Sequence, residues 1–82
     1  MTEAVLRQLL EQNEGFEDET TTRQKNFQER RQYRITGGQL RYRATGKTSW
    51  ADSRFDDEYV ATDDQARRFL RPRLDKLNTD GL

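Results

Sequence analysis

The sequence predicts a small α+β domain in which a helix, three antiparallel strands and a second helix follow one another (α-β-β-β-α). Three observations carry that expectation. A capped amphipathic stripe lies near the start, two alternating segments flank Gly37-Gly38, and a capping-box pattern begins at Thr62. At 82 residues the chain has room for one domain, taken as 1–82.

The first helix is read from Leu6, Leu9, Leu10 and Asn13, which follow i, i+3, i+4, i+7 spacing, with Val5 widening the stripe. Thr2 is a capping residue type, and Gly15 suits the left-handed conformation that ends many helices. The helix is expected over residues 3–14. Residues 16–26 follow with acidic Glu17, Asp18 and Glu19, then Thr20, Thr21 and Thr22, and only Phe16 as an apolar residue. They are expected to form a mobile linker. The alternative is a helix begun by the capping-box spacing of Thr21 and Gln24, with Phe27 as its only anchor.

Residues 30–36 and 39–45 read as a hairpin, because Gly37-Gly38 suits a two-residue turn with positive φ. Closing that turn sets Thr36 opposite Gln39, Ile35 opposite Leu40 and Tyr33 opposite Tyr42. Arg34 then faces Arg41, and Gln32 faces Arg43, on the other side of the sheet. Apolar and polar faces separate without conflict, which a wrong register would not give. Gly46-Lys47-Thr48-Ser49 and Trp50 are expected in a loop, followed by a third strand over 54–61. Its expected register puts Phe55 beside Ala44, Tyr59 beside Leu40, Asp56 beside Arg43 and Glu58 beside Arg41. Asp57 is left pointing inward near Tyr42, which calls for a bulge or a later start.

The last helix is expected over about 63–77. Thr62 with Gln65 three residues on forms a capping box, and Asp63 and Asp64 lie at the positive end of the helix dipole. Ala66, Phe69, Leu70 and Leu77 keep helical spacing, with Leu74 close by. Pro72 lacks an amide donor, so the helix either kinks at Arg71 or ends there, with a short second helix starting at Pro72. Asn78 to Leu82 reads as a frayed tail.

Composition narrows the function. Hydrophobic residues make up 30% and charged residues 37%, against roughly 45–50% and about 25% in ordinary domains. The core must be thin. Disorder is the rival reading, but it usually accompanies a large net charge, whereas here 15 basic and 15 acidic residues balance. The absence of cysteine excludes disulfides, thiolate zinc sites and a thiol nucleophile. A secreted chain this small usually needs such staples, so a cytoplasmic location is expected. No apolar run approaches the roughly 20 residues of a membrane span. The start of the chain has neither the basic nor the apolar part of a signal peptide.

The chemical motifs are weak. Gly46-Lys47-Thr48 resembles the end of a phosphate-binding loop, but Arg41 stands where that motif needs a glycine, and Ser49-Trp50-Ala51-Asp52 does not open a helix. Asp52, Asp56, Asp57 and Glu58 are oxygen donors without the alternating ligands and glycine of a calcium loop. There is no histidine, and Ser49 and Ser53 have no evident base. No catalytic residue, no metal and no cofactor is expected.

Binding is the better-supported reading. Between Arg23 and Lys47 stand eight cations (Arg23, Lys25, Arg30, Arg31, Arg34, Arg41, Arg43, Lys47) and one acid, Glu29. Arg34, Arg41 and Arg43 share the open hairpin face. Arg34 opposite Arg41 is a like-charge pair that costs stability unless an anion answers it. That anion is either Asp56 with Glu58 on the next strand or a group on a partner. Tyr33 and Tyr42 point away from this face, which counts against a base-stacking platform. Arg67, Arg68 and Arg71 on the last helix are favourable through the dipole alone, yet also offer a cationic stripe. Trp50 is either a lid over the core or an interface anchor. The chain is therefore expected to be a non-enzymatic interaction protein that docks on one macromolecular partner, another protein in the first instance, and regulates or inhibits it. The residues expected to contact the partner are Arg34, Arg41, Arg43, Lys47, Trp50, Arg67, Arg68 and Arg71. One rival is a nucleic-acid-binding domain using Arg34, Arg41 and Arg43 on phosphates. The other is a subunit of an obligate oligomer, or of a larger assembly, held together by self-association.

Overall fold

The structure, a computed structural model, describes residues 1–48 and 53–82. The elements in chain order are α1 (Glu3–Gln12), β1 (Glu17–Gln24), β2 (Phe27–Thr36), β3 (Gln39–Thr48), β4 (Ser53–Val60) and α2 (Asp63–Leu70), followed by a 3-10 helix, Arg71–Lys76. The four strands form one antiparallel sheet in the order β1-β2-β3-β4. The class is α+β, with one strand more than expected.

The Thr2 hydroxyl accepts a hydrogen bond from the Val5 amide at 3.2 Å, and α1 buries Leu6, Leu9 and Leu10. Gly15, at φ 85°, then turns the chain toward the sheet. Its amide donates to the Ile35 carbonyl at 2.8 Å, and the Ile35 amide donates to the Phe16 carbonyl at 3.0 Å. These two bonds start a ladder that runs from Glu17↔Arg34 to Gln24↔Phe27, closed by the two residues Lys25 and Asn26. The expected mobile linker 16–26 is thus mostly a strand. It was hidden because an edge strand needs little apolar surface, while its β-branched threonines suit a pleated backbone.

The central hairpin has the expected register from Thr36↔Gln39 through Gln32↔Arg43, with Gly37 and Gly38 both at positive φ. The Glu14 carboxylate accepts from the Gly37 amide at 3.0 and 3.2 Å, tying the end of α1 to the turn. Both strands run farther than expected. β3 continues through Gly46, Lys47 and Thr48, paired with Glu29, Gln28 and Phe27. Gly46-Lys47-Thr48 is therefore strand rather than loop or phosphate cradle. Trp50 and the rest of 49–52 lie outside the described residues.

The fourth strand is displaced by two residues from the expected register. Phe55 faces Gly46, Asp57 faces Ala44, Glu58 faces Arg43 and Tyr59 faces Tyr42. A two-residue slide leaves every side chain on its expected face. Gly46 explains the slide, because without a side chain it leaves room for the Phe55 ring, which stacks on Phe27 at 6.0 Å and 14°. Asp57 is exposed, so no bulge is needed.

Thr62 and Gln65 form the full capping box of α2. The α-helix ends at Leu70 and continues as the 3-10 helix with Pro72 near its start, so the expected helix 63–77 is broken at Pro72. Leu77 still reaches the core, whereas Leu74 is exposed.

The core is Leu6, Leu9, Leu10, Ile35, Leu40, Ala66, Phe69, Leu70 and Leu77, with Phe16 and Tyr33 packed against it. All the sheet residues in that set lie near the Gly37-Gly38 turn. The molecule measures 48 × 21 × 18 Å, because ten-residue strands of roughly 33 Å outrun a ten-residue helix of about 15 Å. Among the described residues no helix is long and apolar enough to cross a membrane.

Candidate partner-docking surface

Side chains alternate along each strand, and the registers fix which share the face turned away from the helices. Four rows cross it. Nearest the glycine turn is Glu17–Arg34–Arg41–Val60, then Glu19–Gln32–Arg43–Glu58, then Thr21–Arg30–Thr45–Asp56. The last row, at the far end, is Arg23–Gln28–Lys47–Arg54.

Three rows are mixed in charge and largely answered from within. Arg43 grips Asp56 through two hydrogen bonds, one of 2.7 Å from Nε. That bond raises the Arg43 guanidinium above its ordinary value and holds the Asp56 carboxyl below its own. Arg30 binds Glu19 at 2.6 Å, and Arg34 reaches Glu17 at 3.6 Å. Both pairs use carboxylates of β1. Arg34 does stand opposite Arg41, and among the described residues Arg41 finds only the Gln39 side-chain oxygen at 3.2 Å. Glu58 sits opposite Arg43 rather than Arg41, and among the described residues it makes no ion pair.

The far row is different. Lys47 and Arg54 are directly opposed on β3 and β4, and Arg23 lies on the same line two strands from Lys47. No carboxylate stands in this row. None of the three cations makes an ion pair among the described residues. With strands about 4.8 Å apart, the row spans about 14 Å. It borders an open depression of about 650 Å³ whose lining includes Arg23, Arg30, Lys47 and Arg54 together with the acids Glu19 and Glu29.

The opposite face is aromatic. Phe69 of α2 stacks on Tyr33 at 4.2 Å, Tyr33 meets Tyr42 at 5.2 Å, and Tyr42 meets Tyr59 at 5.2 Å. Arg31 lies over the Tyr42 ring at 4.9 Å and pairs with Glu29 at 2.7 Å. Its guanidinium is held strongly in the charged form, first by its hydrogen bond to the Tyr33 oxygen. At the other end of the ladder, Arg73 covers the Phe69 ring at 4.0 Å and pairs with Asp18 at 2.8 Å. Arg73 and Asp18 are both partly buried, at 16% and 30% side-chain exposure. The Arg73 hydrogen bond, helped by the Glu19 amide, holds the Asp18 carboxyl below its usual range.

The expected contact residues therefore divide. Arg34, Arg41, Arg43 and Lys47 share the open face. Arg67, Arg68 and Arg71 belong to the helical layer on the other side of the sheet, so one flat contact cannot engage both groups. Arg67 is further occupied by Asp64 and the Met1 carbonyl, each at 3.2 Å. The expected contact residues left out Arg23, Arg30 and Arg54. The period-two alternation Phe27, Glu29, Arg31, Tyr33, Ile35 would have exposed the first two by extending β2 back to a turn at Lys25-Asn26.

Among the described residues no group of acids forms a metal cage, and no polar side chain is buried. Compared with protein-family models, with curated proteins and with solved structures, the chain matches none.

Proposed function

We propose that this chain is a non-catalytic docking protein of the cytoplasm whose open sheet face grips an acidic patch on a partner protein and thereby regulates or inhibits it. The observation that carries the reading is the directly opposed Lys47 and Arg54, two cations on adjacent strands without a carboxylate partner among the described residues. A like-charge cross-strand pair is unfavourable on its own by a few tenths of a kcal/mol to about 1, and an external anion reverses the sign. Arg41, with only an amide oxygen as partner among the described residues, extends the same face toward the glycine turn.

A protein partner is favoured over nucleic acid by what accompanies the cations. Glu17, Glu19, Asp56 and Glu58 share the face, where they would repel a continuous phosphate backbone but orient a protein of mixed charge. All the aromatic side chains of the described strands lie on the other face, so single-stranded bases find nothing to stack on. The lack of histidine and cysteine supports a role without catalysis.

The test is affinity capture with cross-linking, comparing the wild-type protein with Lys47→Glu/Arg54→Glu. A partner bound by the first and lost by the second, with unchanged circular dichroism, supports the reading. Fluorescence anisotropy against duplex DNA, single-stranded DNA and structured RNA decides the rival. Binding that survives near-physiological salt and collapses in the double variant would make the surface a nucleic-acid site instead.

A further inference from the structure

We propose that two copies of the chain join edge to edge through β1, in antiparallel register, to make one continuous sheet about a twofold axis. The backbone allows it. The Ile35 amide donates to the Phe16 carbonyl, so Phe16 is bonded toward β2. By the two-residue period, Asp18, Thr20, Thr22 and Gln24 are bonded likewise. Glu17, Glu19, Thr21 and Arg23 therefore aim their amides and carbonyls outward at the open edge.

Side-chain order then selects the register. A twofold axis at Thr20 sets Glu17 of one copy opposite Arg23 of the other, Glu19 opposite Thr21 and Asp18 opposite Thr22. All the outward backbone groups meet outward groups. Arg23, which makes no ion pair among the described residues, gains a carboxylate, and this happens twice across the axis. On the axis Thr20 meets its own copy, a favourable cross-strand pair, and the hydroxyls of Thr21 and Thr22 stand opposite the Glu19 and Asp18 carboxylates. Every residue of β1 is paired with β2 in unbroken sequence, with no proline, lysine or bulge to blunt the free edge.

The other edge is unsuitable. In β4 the run Asp56-Asp57-Glu58 occupies the middle of the strand. Antiparallel self-pairing centred on any of the three sets carboxylate against carboxylate. The association is thus confined to β1, which closes the assembly at two copies instead of an open fibre.

Sedimentation velocity over a wide concentration range tests the proposal on the full chain. The expected result is reversible association to twice the 9.8 kDa chain mass. Arg23→Glu should weaken it about tenfold or more, because two attractions become two repulsions. The exchange Glu17→Arg/Arg23→Glu should restore it. Thr21→Pro removes an outward-facing amide and leaves the ladder to β2 whole, so it should give a folded monomer. A wild-type protein that stays monomeric throughout, or a dimer indifferent to Thr21→Pro and to the charge exchange, overturns the proposal. Lys47→Glu/Arg54→Glu should leave the dimer intact, which keeps this outcome separate from that of the docking face.

Discussion

Gly46 gives the sharpest test of the strand register, because general propensity and this structure predict opposite signs. In the interior of a strand, glycine is ordinarily about 0.5–1 kcal/mol worse than alanine, so Gly→Ala should help. Here a Cβ at Gly46 would land on the Gln28 carbonyl oxygen, 3.0 Å from the Gln28 carbonyl carbon and 2.6 Å from the Phe55 ring. The ring can turn away, but the neighbouring backbone cannot move without opening the β2–β3 ladder. Overpacking of this kind costs about 1–3 kcal/mol. Losing the Phe27–Phe55 stack adds about 0.5–1.5 kcal/mol. After subtracting the propensity gain, Gly46→Ala should destabilise by about 0.5–4 kcal/mol, centred on about 2. A chain of this size has about 4–12 kcal/mol in total, and the melting temperature should fall by roughly 5–20 °C. Thermal and urea unfolding followed by far-ultraviolet circular dichroism measures this. Repeating the substitution in a Phe55→Ala background isolates the ring's share as a coupling energy. Stability equal to or above wild type would refute the close approach of β2 to Gly46, and with it the extension of β3 to Thr48.

Three further outcomes follow from other parts of the molecule. Asp18→Asn should lose about 1 kcal/mol at neutral pH by leaving Arg73 without its carboxylate. Because folding lowers the Asp18 pKa, that contribution is full above the unfolded value of about 3.9 and fades as pH falls through the lower folded value. The gap between variant and wild type in urea titrations should therefore narrow toward pH 3. Lys47→Glu should raise the melting temperature slightly at low salt by pairing with Arg54, while weakening partner capture; a variant weaker in both respects would mean that Lys47 packs rather than docks. Thr62→Ala removes the capping box of α2 and should cost about 1 kcal/mol in a denaturant melt.

What the sequence made legible follows from how local each signal is. The helix caps at Thr2 and Thr62, the Gly37-Gly38 turn and the facing of Tyr33, Ile35, Leu40 and Tyr42 each rest on neighbours within a few positions. They were readable residue by residue. β1 was not, because an edge strand of acids and threonines carries no apolar alternation, and its pairing depends on β2 having already formed. The β4 register missed by two residues for a related reason: alternation fixes the face but not the slide, and the slide is set by Phe55 finding Gly46 and Phe27. The site suffered the same losses. Arg34, Arg41, Arg43 and Lys47 could be placed on one face from the hairpin. That Glu17 and Glu19 would neutralise Arg34 and Arg30, leaving the far row as the unanswered one, required β1. The separation of the helix arginines from the sheet face is a matter of layers, which spacing along a chain does not encode.

The strands outrun the helices, and this gives the molecule two mechanical regimes. Around the glycine turn the sheet is clamped by the leucines of α1 and α2, so an amide such as that of Ile35 should exchange with solvent only when the whole protein opens. At the far end, among the described residues, no helix packs on the same strands, which are held by the Phe27–Phe55 stack, a few ion pairs and their own ladder. Amides such as those of Glu29 and Lys47 should exchange by local fraying at a fraction of that free energy. Lys47 and Arg54 ride on this compliant tip. A partner that grips them also stiffens it, so part of the interaction energy is spent on quieting motion, and affinity should rise in any variant that quiets the tip beforehand.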